Sequence, residues 1–115
     1  MADCLFCKIV AGDIPAKIVK RSTDAVAFRD IDPKAPVHVL IIPTQHVAAV
    51  RDAKGAEAER LLGRLLRFTA ELATELNLDA EGYRVVTNTG RNAGQSVDHL
   101  HLHLLGGRKL GWPPG

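Results

Sequence analysis

The chain is short of several things that would each point to a function. It has only two cysteines in 115 residues, too few for the disulfide scaffold that small secreted domains rely on. At this length a single core covers roughly two thirds of the surface the unfolded chain exposes, so no such scaffold is needed. The longest purely apolar run is Val39-Leu40-Ile41-Ile42, far short of a membrane span. Charge of one sign is also missing: 15 Lys+Arg against 13 Asp+Glu leaves a net charge of +2. That excludes binding nucleic acid or a membrane by bulk attraction. Arg60, Arg64 and Arg67 cluster at helical spacing beside Glu57, Glu71 and Glu75, which reads as a solvated helix face. The N-terminus has no basic segment and an acid at Asp3, a poor secretory signal. Repeats, linkers and low-complexity stretches are absent. The expectation is one cytoplasmic domain over 1–115.

The hydropathy pattern predicts an α+β chain. Residues 3–11 read as a short helix with Asp3 as N-cap and Gly12 just past its end. Segments 17–21 and 25–29 read as a hairpin, 37–42 as a buried strand closed by Pro43, and 83–88 and 98–105 as further strands. Residues 56–76 form the one long helix. Leu61, Leu65, Phe68, Leu72 and Leu76 make one apolar stripe, and Ala58, Leu62, Leu66, Thr69 and Ala73 make a second beside it. So wide a face suggests burial beyond one small sheet, against a second copy of the chain. Strands at both ends and a helix between them imply a mainly antiparallel sheet.

Histidine is the residue type in surplus. Five are present, and three of them, His99, His101 and His103, alternate with leucine. On a strand all three imidazoles share one face, about 6.5–7 Å apart, while the leucines face the core. Three chemistries use such a row: a three-histidine metal site, an imidazole nucleophile with neighbours that hold an anion, or simple phosphate binding. The segment before it, with Gly90, Gly94, Gln95 and Ser96, is small and rich in donors, and favours a phosphate ligand.

His99 to Leu105 resembles the motif of the histidine triad superfamily. Its Hint branch is also resembled, in chain order, by Asp13–Lys17, Phe28-Arg29-Asp30-Ile31, Ile42-Pro43 with His46, Gly94-Gln95-Ser96-Val97, Leu105–Arg108 and Trp112-Pro113-Pro114-Gly115. The resemblance covers nearly the whole chain. It implies a five-stranded mainly antiparallel sheet with one long and one short helix, a homodimer, and hydrolysis of the P–N bond of purine nucleoside 5′-phosphoramidates.

The resemblance also implies the roles. His101 is the nucleophile, His103 contacts the phosphate, and the His99 carbonyl orients His101. Ser96 lies beside the leaving amine. Gly94, Gln95 and Val97 line the phosphate loop, and Asn88 sits at the ribose edge. Asp30 binds the ribose, Phe28 and Ile31 the base, and Trp112 reaches toward the partner's site. Cys4 and Cys7 resemble a zinc motif of bacterial relatives, completed by His46 and His99. Four such ligands make a closed, structural zinc site; free thiols and a redox pair remain the other readings of the cysteines. His38 reads as a strand histidine with local hydrogen bonds only, and alternation turns Asp98 away from the histidine face. A nucleotide-binding sensor or adaptor, a zinc hydrolase and a dinucleoside polyphosphate hydrolase remain alternative functions.

Overall fold

A computed structural model describes residues 3–115. The elements run α1 (Leu5–Ala11), β1 (Ile18–Arg21), β2 (Ala25–Arg29), β3 (Val37–Pro43), α2 (Ala56–Glu75), β4 (Tyr83–Val86) and β5 (Leu102–Gly106), with short 3-10 turns at Val50–Asp52 and Arg91–Ala93. The five strands form one antiparallel sheet in the order β1-β2-β3-β5-β4.

The sheet has two covered faces, and strand alternation decides which residues go to each. Val39, Ile41, Leu102 and Leu104 pack under α2 with its Leu61, Leu65, Phe68 and Leu72. Val26, Phe28, Leu40 and Ile42 pack on the other side under Phe6 and Ile9 of α1. The histidine row emerges on this second side, at the edge of the α1 cluster.

The ends of the helices follow from local chemistry. The N-cap of α1 is Cys4, not Asp3: the Cys4 sulfur accepts from the Cys7 amide at 3.3 Å. Gly12 closes it in the left-handed region at φ 83°, where a side chain is disfavoured. At the end of α2, Asn77 adopts φ 61° and the Leu78 amide bonds back to the Ala73 carbonyl. The second apolar stripe of α2 is only partly used, with Thr69 and Ala73 buried and Leu66 54% exposed.

Two strands are shorter than the pattern predicts. β4 stops at Val86, and the ladder of β5 begins at Leu102. Residues 98–101 are irregular, because their polar groups have partners outside the sheet. The Leu100 amide bonds to the Val47 carbonyl at 2.6 Å, and the His101 carbonyl accepts from the Thr87 hydroxyl at 2.9 Å.

Candidate active site

His101 and His103 stand on one face with ring centroids 5.2 Å apart, closer than strand spacing alone predicts. The irregular backbone before Leu102 and the tilt of each ring toward its own partner bring them together. His101 is buried, and its Nδ1 lies 2.7 Å from the carbonyl oxygen of His99. A carbonyl only accepts, so Nδ1 carries the proton and Nε2 keeps its lone pair. Phe6 presses edge-on against His101 at 5.2 Å and His99 at 5.8 Å. Sequence reasoning missed Phe6, whose only signal is its place inside the Cys4–Cys7 segment.

His103 has a partner that the sequence did not reveal. β3 pairs with β5 so that Leu40 faces His103 and His38 faces Leu105. His38 is thus diagonal to His103 on the same side, with its Nε2 2.9 Å from His103 Nδ1. This corrects the purely local reading of His38. Its other nitrogen, Nδ1, accepts from the Lys34 amide at 3.0 Å. Neutral His38 therefore carries its proton on Nε2 and donates it to His103 Nδ1. That in turn leaves His103 with its proton on Nε2, free to donate to a ligand. Burial lowers the His38 and His103 pKa values, His103 to about 4, with His101 and His38 adding to the second shift. Both rings are neutral at pH 7.

Asp30 completes this corner. Its Oδ1 accepts from the Asp32 amide at 2.8 Å, and its Oδ2 lies 3.4 Å from His38 Nε2. Asp30, His38 and His103 are close enough together to suggest a metal centre. The hydrogen bonds argue otherwise. With Nδ1 already accepting from an amide, His38 would have to become an imidazolate to ligate through Nε2.

The opposite holds for Cys4, Cys7, His46 and His99, whose ligand atoms all lie within 4.8 Å of one another. Cys4 Sγ is 3.2 Å from His99 Nδ1, Cys7 Sγ is 3.3 Å from His46 Nδ1, and Cys7 Sγ is 3.6 Å from His99 Nδ1. In a tetrahedral zinc site, neighbouring sulfur and nitrogen ligands lie about 3.5 Å apart. His99 Nε2 donates to the Pro43 carbonyl at 3.0 Å, so its Nδ1 lone pair is available. Burial lowers the His99 pKa and raises that of the Cys7 thiol. The donor set fits a closed four-ligand metal site.

The remaining predicted residues are spread around this centre. Gln95 acts within its own loop: its Oε1 accepts from the Gly90 amide, and its Nε2 donates to the carbonyls of Ala48 and Val97. Gly94 takes φ 86°, a turn that glycine adopts without strain. Ser96, Val97 and Asp98 line an open cavity of about 600 Å³ that also reaches Cys4 and His46. Asp98 is exposed there, in the irregular segment. Asn88 is half-buried. Phe28 lies inside the α1 cluster, 5.5 Å from Phe6. Ile31 is fully exposed, and Trp112 is 84% exposed.

The HIT domain family matches residues 11–110, and the chain belongs to that family. It is 51% identical over 113 residues to an uncharacterised HIT-like protein of Synechococcus elongatus, covering 98% of this chain and 97% of the relative. It is 45% identical over 109 residues to the purine nucleoside phosphoramidase of Escherichia coli K12, covering 95% and 91%. A HIT family hydrolase from Legionella pneumophila superposes with a TM-score of 0.94 at 48% identity, over 98% of this chain and all of that one.

Proposed function

We propose that the protein is a purine nucleoside phosphoramidase, cleaving the P–N bond of adenosine and guanosine 5′-phosphoramidates and, more slowly, aminoacyl adenylates. The coarser statement, a nucleotide hydrolase, rests on its family and on relatives named for hydrolysis. The observation that carries the reading further is the tautomer of His101, with Nδ1–H held by the His99 carbonyl at 2.7 Å and Nε2 left as a lone pair beside His103.

In this reading Nε2 of His101 attacks phosphorus, the P–N bond breaks, and the amine departs with a proton. Water then attacks the same phosphorus, the bond to Nε2 breaks, and the monophosphate is released. His103 Nε2–H and the Ser96 amide hold the phosphoryl oxygens, while Gly94 and Gln95, whose amides donate to the Arg91 and Gly90 carbonyls, shape the loop around them; such positioning carries most phosphoryl-transfer catalysis. Ser96 donates to the leaving amine. Asp30 takes the ribose hydroxyls with Asn88 at the ribose–phosphate edge, and Ile31 and Phe28 mark the base end. Zinc on Cys4, Cys7, His46 and His99 would cross-link α1 to the histidine segment; four protein ligands leave it no open position for substrate. The active unit is a homodimer, in which the exposed Leu66, Val85 and Trp112 are covered by or directed toward the second copy.

The test is to mix the protein with adenosine 5′-phosphoramidate, quench in base and take peptide mass spectra. A nucleotidyl adduct on the peptide containing His101, lost in His101→Ala, is expected. Turnover without an adduct that ends on chelation would replace this reading with metal-bound water. Tight purine monophosphate binding with no turnover would replace it with a sensor or adaptor.

A further inference from the structure

Arg108 is an exposed arginine just beyond β5, and among the described residues it forms no ion pair. All three nitrogens of its guanidinium nevertheless donate to backbone carbonyls. Nε and Nη2 both donate to the Lys34 carbonyl, at 3.3 and 2.8 Å, and Nη1 donates to the Lys109 carbonyl at 2.9 Å. The preceding residue brings the two segments into contact: a Cβ on Gly107, itself at φ 89°, would lie 2.9 Å from Pro36 Cβ. Lys34 is thus held on both sides, its carbonyl by Arg108 and its amide by His38 Nδ1 at 3.0 Å.

We propose that Arg108 is a positioning residue that sets the tautomer of His103 from a distance, by holding Lys34 so that its amide keeps the proton of His38 on Nε2. The chain of hydrogen bonds runs from Arg108 through Lys34 and His38 to His103 Nδ1. The links at Lys34 have a fixed polarity, because the carbonyl only accepts and the amide and guanidinium only donate, and they bias the link between the two imidazoles, which could otherwise run either way. Without the clamp, the loop over 30–36 is tied at Lys34 by the amide bond to His38 alone. Once that bond opens, only Asp30 Oδ2, 3.4 Å from His38 Nε2, still favours the proton there; His38 can then also carry its proton on Nδ1, and the two rings can exchange donor and acceptor roles. His103 then presents a lone pair, not an N–H, toward the ligand. Ile31, Asp32, Pro33 and Lys34 are all exposed, and between the turn made by Asp30 and the buried Ala35 it is Arg108 that holds the Lys34 carbonyl.

The catalytic consequence rests on the reading of His103 as a phosphate donor, but the tautomer itself can be read separately. Nitrogen-15 spectra of histidine-labelled protein report which ring nitrogen of His103 is protonated, with no substrate present. Arg108→Ala is expected to shift the His103 ring signals toward the other tautomer while the thermal midpoint moves little. Turnover of adenosine 5′-phosphoramidate should fall about three- to tenfold, the scale of one hydrogen bond. Arg108→Lys, which keeps the charge and one donor to Lys34, should recover part of the loss. In a His38→Asn background, Arg108→Ala should change neither the ring signals nor the rate further. Unchanged His103 signals in Arg108→Ala, or an equal rate loss with and without His38, would overturn the proposal. Shifted signals with undiminished turnover would uphold it and place the fault in the donor role assigned to His103.

Discussion

Four histidines that look alike in sequence are set apart by what each ring nitrogen touches. His99 gives its Nε2 proton to the Pro43 carbonyl and turns Nδ1 toward two sulfurs. His101 gives its Nδ1 proton to the His99 carbonyl. His38 accepts a hydrogen bond from the Lys34 amide and donates one to His103. These contacts suit the four proposed roles: His99 as a metal ligand, His101 as the nucleophile, His103 as a donor to the phosphate and His38 as the residue that positions it. His101→Ala should lower phosphoramidate turnover by roughly 10⁴ or more while calorimetry still detects purine monophosphate binding; full turnover in this variant would end the nucleophile assignment. The His103 pKa is lowered to about 4 from 6.5. Between these values the unfolded chain binds a proton that the folded ring refuses, so stability falls as pH drops from 6.5 to 4. His103→Gln should flatten that slope in chemical-denaturation midpoints taken across this window, and an unchanged slope would assign it to other groups.

Among the elements, α1 does the most for its length. Seven residues long, it could not persist alone in water. Phe6 and Ile9 tie it to β2 and β3, and Cys4 and Cys7 tie it to His46 and His99. Cys4 does two things at once, since its sulfur also caps the helix by accepting from the Cys7 amide. Cys4→Ser keeps a capping oxygen but removes a soft sulfur from the set in which zinc is proposed. It should therefore lose bound zinc by atomic absorption and lower the thermal midpoint, with turnover still present under chelator. If turnover disappears with the zinc, the metal takes part in the chemistry. The irregular stretch 98–101 is the other decisive element. By leaving the ladder before Leu102, it frees the His99 carbonyl to accept from a side chain.

For the molecule as a whole, the unfinished surface is the informative one. No described helix is long and apolar enough to cross a membrane. Apolar side chains stand bare on α2 and β4. Leu66 at 54% and Val85 at 36% exposure fit a second copy of the chain. The particle in solution should have twice the 12.4 kDa chain mass by light scattering, and Leu66→Glu should shift it toward the single-chain mass. A wild-type particle of 12.4 kDa would remove the dimer. The three arginines of α2 form ion pairs: Arg60 with Glu57 and Arg67 with Glu71 on the same helix, as the sequence places them, and Arg64 with Asp24 of the hairpin turn, which only the fold brings near.

The sequence by itself determined whatever depends on periodicity and residue type. The period of two in His99–Leu105 put the leucines under α2 and the triad's last two histidines together on the other side. The two apolar stripes located α2, and the resemblance of Cys4 and Cys7 to a zinc motif named His46 and His99 as their companions, four residues that the fold does bring together. Only the tertiary structure decided the rest. His38 reaches His103 because antiparallel register makes them diagonal neighbours across two strands 65 residues apart. The strand ends fall short because Thr87 and Val47 offer 98–101 better partners than a ladder does. Arg108 reaches Lys34 because the end of β5 returns beside the loop leading into β3. These are long-range hydrogen bonds, whose partners leave no local pattern. Hydrophobic periodicity fixes which face a side chain occupies, but not which polar atom waits for it there.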